Sequence, residues 1–214
     1  FWIQSKTVRP LHLPSNPMDS QVEFLAYDMG RDLTNAEVQV RCIAQIPEAL
    51  KLDSRSSSFR TALSAIESSI FAISTNSSVA NAVIKTFEQI QLPISLQSEP
   101  LRICLEYWKG WKGHAEVVLN LLVFFNAYIP KLNQITQVQT KGIAQILLET
   151  CRLYPYSKKH IAIVPLVAMN FQNPDPMSKK LLSRTIAAAV NLFTDDESHQ
   201  MNCLAAYMQV LDPD

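Results

Sequence analysis

Residues 54–90 read SRSSSFRTALSAIESSIFAISTNSSVANAVIKTFEQI. Phe59, Leu63, Ile66, Ile70 and Ile73 fall at steps of four, three, four and three, the period of one helix face. Asn76 is of the type that caps helix starts, and Val79, Val83, Phe87 and Ile90 follow at a similar rhythm. The stretch predicts two helices, the first over 54–75 and the second from Asn76 until Pro93 closes it. Each has an apolar face and needs something to bury it against.

The same pattern extends downstream. Ser98-Glu99-Pro100 predicts a helix start, with Leu101, Cys104, Leu105 and Trp108 inward and a stop at Gly110. Val118, Leu121, Leu122, Phe125 and Ile129 line the next helix, which Pro130 ends. Val138, Ile143, Ile146, Leu147, Cys151 and Tyr154 line another before Pro155. Residues 157–171 predict a weaker helix that bends at Pro165. Asp175-Pro176 opens a helix through Leu181, Leu182, Ile186, Val190 and Phe193. Asp195-Asp196-Glu197 caps a last one, expected to turn Met201, Leu204, Ala205 and Met208 inward.

Upstream, Asp19 is expected to cap a helix carrying Val22, Leu25, Ala26 and Met29, with Gly30 as its left-handed stop. Thr34-Asn35-Ala36-Glu37 has the form of a capping box, opening a helix with Val40, Ile43 and Ala44 that Pro47 ends or kinks. Residues 1–18 carry Pro10, Pro14 and Pro17 without helical period and read as an extended lead-in. The expected organisation is that lead-in followed by one helical-repeat domain over 19–214. Because the chain opens on Phe1, it is expected to be a fragment of a longer one. No segment alternates as a strand does, so the fold class is all-α.

Composition narrows the function. The chain has 214 residues, 48% hydrophobic and 18% charged, with 19 Lys plus Arg against 19 Asp plus Glu. Such apolar content with little charge excludes disorder. A zero net charge removes the bulk positive field of a general nucleic-acid or acidic-lipid binder. Four glycines are too few for glycine-rich phosphate loops or tight β-hairpins. The most apolar run, 117–129, contains Asn120 and Asn126 and falls short of the ~20 residues a membrane span needs. Cys42, Cys104, Cys151 and Cys203 lie far apart among apolar positions, as small buried hydrophobes do in a reducing compartment. An intracellular location, nuclear or cytoplasmic, is expected.

Paired from 54 onward, the helices form hairpins starting near 54, 98, 136 and 176, at intervals of 44, 38 and 40 residues. Tandem helical hairpins of about that period stack into a continuous core, because neither face of one hairpin is buried alone. An α-α superhelix of four to five antiparallel hairpins is the expected architecture, with an irregular bundle as the alternative.

The segment from Asn35 to Leu50 resembles the second helix of a HEAT repeat. In that family an Asp or Asn precedes a Val-Arg pair by five positions, and here Asn35, Val40 and Arg41 occupy those places. The resemblance implies a structural role, in which the amide and the arginine make ladders between successive repeats. Asp175–Leu182 is similar in outline, with Lys180 and Leu181 in place of the pair. The block 101–154 also resembles an exportin hairpin, with a Trp between helices and a long apolar second helix. Relatives of this superfamily include importin-β-like transport receptors, phosphatase scaffolds, giant checkpoint kinases and cohesin or condensin regulators.

Chemistry-bearing motifs are sparse. No Walker A, G-x-G-x-x-G or G-x-S-x-G pattern occurs. His12, His114, His160 and His199 lack a His or Cys at ligand spacing, so no metal, cofactor or catalytic residue is expected. Asn76-Ser77-Ser78 matches a glycosylation sequon but reads better as a helix start. Arg55 stands three before Ser58, a weak basophilic-kinase pattern; a linker with a cap is the plainer reading.

The segment Tyr107-Trp108-Lys109-Gly110-Trp111-Lys112-Gly113-His114 interleaves aromatics with lysines, as surfaces that stack single-stranded bases do. An inter-helix turn with Trp108 packed inward is the competing reading. Lys158-Lys159 and Lys179-Lys180 sit at helix starts, where the dipole disfavours them, and are expected to form one basic stripe if the repeats stack in register. Trp108, Lys109, Trp111, Lys112 and these two lysine pairs are thus the candidate partner-binding residues. The expected function is a non-catalytic scaffold for protein–protein interaction. The alternatives are a nucleic-acid-engaging repeat domain, the regulatory arm of a large enzyme, or part of a transport receptor.

Overall fold

A computed structural model describes residues 20–171 and 174–211. The lead-in over 1–18 and the expected cap Asp19 lie outside the described residues. The remainder forms α1 (Gln21–Arg31), α2 (Ala36–Leu52), α3 (Ser56–Ala72), α4 (Ser77–Gln89), α5 (Glu99–Trp111), α6 (Ala115–Tyr128), α7 (Gln137–Leu153), α8 (Lys158–Ala168), α9 (Pro176–Val190) and α10 (Glu197–Leu211). Two short 3₁₀ turns, Ile94–Leu96 and Ile129–Lys131, complete the elements. The chain is all-α, with no strand among the described residues.

Most helix starts are set by caps visible in the sequence. Asn76 accepts from the amides of Ser78 and Val79, and Asp175 from those of Met177 and Ser178. Thr136 and Gln139 make a reciprocal capping box at α7. At α2 the cap is Asn35 rather than Thr34, because its side chain reaches the amides of Glu37 and Val38.

Helix packing follows chain order. The odd-numbered helices lie side by side, the even-numbered helices do the same, and odd helices pack on the even helices next to them in sequence, the α6–α7 pair excepted. All substantial contacts join helices one or two apart in sequence. Odd helices start at 21, 56, 99, 137 and 176, and even ones at 36, 77, 115, 158 and 197, so equivalent starts recur every 35 to 43 residues. Polar contacts keep the same step. Thr86 to Ile43, Asn120 to Asn81, Trp108 to Glu149, Gln139 to Ser98, His160 to Ala115 and Asn170 to Asn126 are bonded pairs 39 to 45 residues apart.

The stops expected at Gly30 and Gly110 are passed, and Pro47, expected to end or kink α2, lies inside it. α1 runs through Gly30 to Arg31. α5 runs through Gly110 to Trp111, because this glycine serves close approach and not a turn. A Cβ there would lie 2.8 Å from the Ser74 carbonyl oxygen. α2 continues through Pro47 to Leu52. Proline has no N–H, so the Ile43 carbonyl four residues earlier loses its helical donor. The Thr86 hydroxyl of α4 donates to that carbonyl instead, at 3.1 Å. α8 likewise passes through Pro165.

The direction of α10 differs from the expectation. Met201 and Met208 are 62% and 61% exposed, Leu204 and Ala205 are exposed too, and the buried side is His199, Cys203, Ala206 and Val210. Both sides of this helix are apolar at helical spacing, so period alone does not choose between them. The small side chains of Cys203 and Ala206 let α8 and α9 approach closely, which favours turning that side inward. Val138 and Ala44, also expected inward, are exposed.

Thr86→Val should cost about 1–3 kcal/mol in urea unfolding, since the Ile43 carbonyl is then buried without a donor. In a Pro47→Ala background the new amide satisfies that carbonyl, and the same substitution should cost less than about 1 kcal/mol. Equal costs in both backgrounds would show that the tie is not what holds the proline-bearing turn.

Candidate interaction surface

The aromatic–lysine segment is folded into the last turn of α5. Trp108 and Trp111 are buried, 6% and 1% exposed. The Trp108 indole N–H donates to Glu149 Oε2 at 2.9 Å. Tyr107 is half-buried and stacks on Trp111 with centroids 6.4 Å apart. Burial, with Glu67 and Glu106 nearby, pushes the Tyr107 hydroxyl up to about 12. Lys112 Nζ sits 3.8 Å from Glu149 Oε2, and only Lys109 projects freely into solvent. No platform for stacking bases is left, because the rings that would form it are core.

The two basic pairs are not brought together. Lys158 and Lys159 begin α8, where Lys158 Nζ contacts Asp196 Oδ2 at 2.7 Å in the α9–α10 turn. That ion pair holds the Asp196 carboxyl below the usual range. Lys179 and Lys180 begin α9, at the other end of a helix of 15 residues, about 22 Å long. The expected single stripe is therefore corrected to two separate basic points. Antiparallel neighbours put successive helix starts at opposite edges.

The ladder implied for Asn35, Val40 and Arg41 is also carried differently. Asn35 spends its oxygen on the α2 amides and its N–H on Asp32 Oδ2, at 3.0 Å. Val40 is half-buried against the core and Arg41 is exposed. The buried Gln39 makes the tie instead: it donates to the Met29 and Asp32 carbonyls at 2.9 and 2.8 Å and accepts from the Ser69 hydroxyl. Gln200 of α10 repeats the first half of this device on the Val190 and Phe193 carbonyls, both at 2.9 Å.

Reactive groups are quenched. All four cysteines are free and buried, and burial pushes each thiol up. His160 stacks on Tyr154; its Nε2–H donates to the Ala115 carbonyl and its Nδ1 accepts from Ser157, both at 2.7 Å. No group of three or more His, Cys, Asp or Glu suited to a metal ion occurs among the described residues. Ser58 is buried and donates to Asp53 Oδ2 at 2.7 Å, so the Arg55–Ser58 pattern does not present its hydroxyl to a kinase.

The solvent side of the odd helices carries what inward-looking periodicity missed. Arg102 of α5 bonds Glu67, Glu99 and Glu106 at 2.8–3.0 Å. Farther along, Lys141 and Arg152 of α7 and Lys180 and Arg184 of α9 are exposed. A cavity of about 460 Å³ between α7 and α9 is lined by Leu148, Cys151, Arg152, Arg184, Ala188 and Leu192. The signal for these residues was in the sequence, in the positions left over once each apolar face is assigned. No helix of the described residues is long and apolar enough to cross a membrane. Compared with protein-family models, curated proteins and solved structures, the chain matches none.

Asp53 supplies a pH test of the α2–α3 junction. Arg55 donates to it twice at 2.8 Å and Ser58 once, which holds its carboxyl well below the usual range. A lowered native pKa stabilises the fold fully above the unfolded value of about 3.9, and that stabilisation declines below it and is lost as pH falls through the native value. Asp53→Asn should lower Tm by about 2–4 °C at neutral pH, and the gap to wild type should begin to narrow only below about pH 4, with much of it still present at about pH 3.

Proposed function

We propose that this chain is a tandem helical-repeat array of HEAT or armadillo type, with four to five hairpins, that serves as a non-catalytic scaffold for protein partners. The observation that carries this reading is neighbour-only packing: every substantial contact joins helices one or two apart. An array built that way buries a continuous core between its layers and leaves both outer faces to solvent along its whole length. The polar ties recurring at 39 to 45 residues support the same period. Four free, buried thiols fit a reducing compartment and so a place in an intracellular assembly, nuclear or cytoplasmic. The nucleic-acid alternative loses its main support, because Trp108 and Trp111 are core residues.

Two measurements test the reading. In a neighbour-coupled array, damage stays local. Met29→Ala, at a buried α1 position, should accelerate amide exchange in α1–α4 and leave α7–α10 protected. Uniform acceleration along the chain would mean one cooperative bundle. For the scaffold role, a photo-crosslinking residue replaces Gln145 on the odd-helix face or Lys85 on the even-helix face of the native protein, both exposed positions. A discrete protein adduct at one face or at both is expected, and none at either would sink it.

A further inference from the structure

Arg152 and Arg184 line opposite sides of the cleft between α7 and α9, whose lining is otherwise Leu148, Cys151, Ala188 and Leu192. Lys141 and Lys180 extend the same two helices' solvent sides, each four residues beyond its helix's first residue. The Thr185 hydroxyl reaches the Ala144 carbonyl at 3.5 Å, so the two stripes run side by side. Some cations elsewhere are held, Lys51 by Glu48, Lys158 by Asp196 and Arg102 by three glutamates. Others, such as Arg60 and Lys109, stand alone among the described residues; what marks this face is that two arginines flank one cleft. None of Lys141, Arg152, Lys180 and Arg184 has a carboxylate within ion-pair distance among the described residues. Glu149, the acid nearest in sequence on α7, is turned to Trp108 and Lys112 on the α5 side.

We propose that this α7–α9 face docks an acidic amphipathic segment of a partner protein. Its carboxylates would sit on Arg152 and Arg184, and its aliphatic side chains would enter the cleft between them. This rests on the scaffold reading and names the chemistry of its partner. A guanidinium keeps its charge at any physiological pH and offers paired donors that match a carboxylate. Four unpaired cations with no acid among them favour a negative partner. The aliphatic lining then favours a polypeptide over a nucleic acid. Leu148, Ala188 and Leu192 give bases no ring to stack on, and four cations are fewer than the roughly 6–10 phosphate contacts of a typical nucleic-acid site.

Fluorescence anisotropy on the full chain tests this with labelled probes: a peptide of repeating Glu-Glu-Leu-Leu, an all-Glu peptide of equal length, and an oligothymidylate. The Glu-Leu peptide should bind most tightly and weaken as salt rises. The pair Arg152→Glu with Arg184→Glu should weaken it by about tenfold or more, a change of at least one decade in Kd. Lys141→Glu with Lys180→Glu should weaken it less, and Lys85→Glu on α4 should leave it unchanged. Both charge-reversal pairs are at exposed positions, and thermal melts confirm folding before binding is compared.

Absence of binding, indifference to both pairs, equal affinity for the all-Glu peptide, or tighter binding of the oligothymidylate would each overturn the proposal. If the peptide fails while crosslinks at Lys85 persist, this inference falls and the scaffold reading stands. If adducts fail at both faces, the scaffold reading falls as well.

Discussion

A helical hairpin with apolar residues on two sides cannot be stable alone in water, and α3–α4 is such a hairpin. Leu63, Ile66 and Ile70 of α3 and Val83, Ile84 and Phe87 of α4 are all buried. Fully burying one such side chain is worth about 1.5–3 kcal/mol. No single partner covers all of them: α1 lies on one side of α3 and α5 on the other, while α2 and α6 flank α4. Stacking is therefore a condition of folding and not a later assembly step. The polar ties follow from it. Once helices of successive hairpins lie side by side, each buried polar group finds its partner roughly one hairpin away, as Thr86 does at Ile43 and Trp108 at Glu149.

That dependence decides what was legible from residues alone. Helix existence, the caps at Asn76 and Asp175, and the spacing of starts are local, and the sequence carries them openly. The stop expected at Gly110 and the end or kink expected at Pro47 both turn on neighbours far along the chain. Ser74 lies 36 residues from Gly110, and Thr86 lies 39 from Pro47. The facing of α10 was misjudged for a related reason. A helix apolar on two sides has a period that is easy to read and a phase that only its neighbours fix.

The candidate surface shows the same split. Trp108 and Trp111 drew attention as aromatics among lysines, yet their spacing of three on α5 fits burial equally well, and burial is what occurs. Arg152 and Arg184 drew none, since a lone arginine on a solvent-facing stripe has no motif. They acquire meaning only when α7 and α9 are laid side by side. Helix packing creates such juxtapositions, so two side chains on one cleft can be 32 positions apart with no linear pattern joining them.

Net charge needs the same correction. The balance of 19 against 19 argues against a field around the whole molecule. Yet neighbouring helices are spaced by about 8–10 Å, close to one Debye length at physiological salt. For the proposed partner on α7 and α9, charge on α3, two helices away, is screened more strongly than charge on the face itself. What that partner meets is the local sum, and there Lys141, Arg152, Lys180 and Arg184 stand without an opposing acid. For helices packed in chain order the informative charge is that of adjacent helices on one face. A neutral chain can thus carry a binding surface that is electrostatically one-signed.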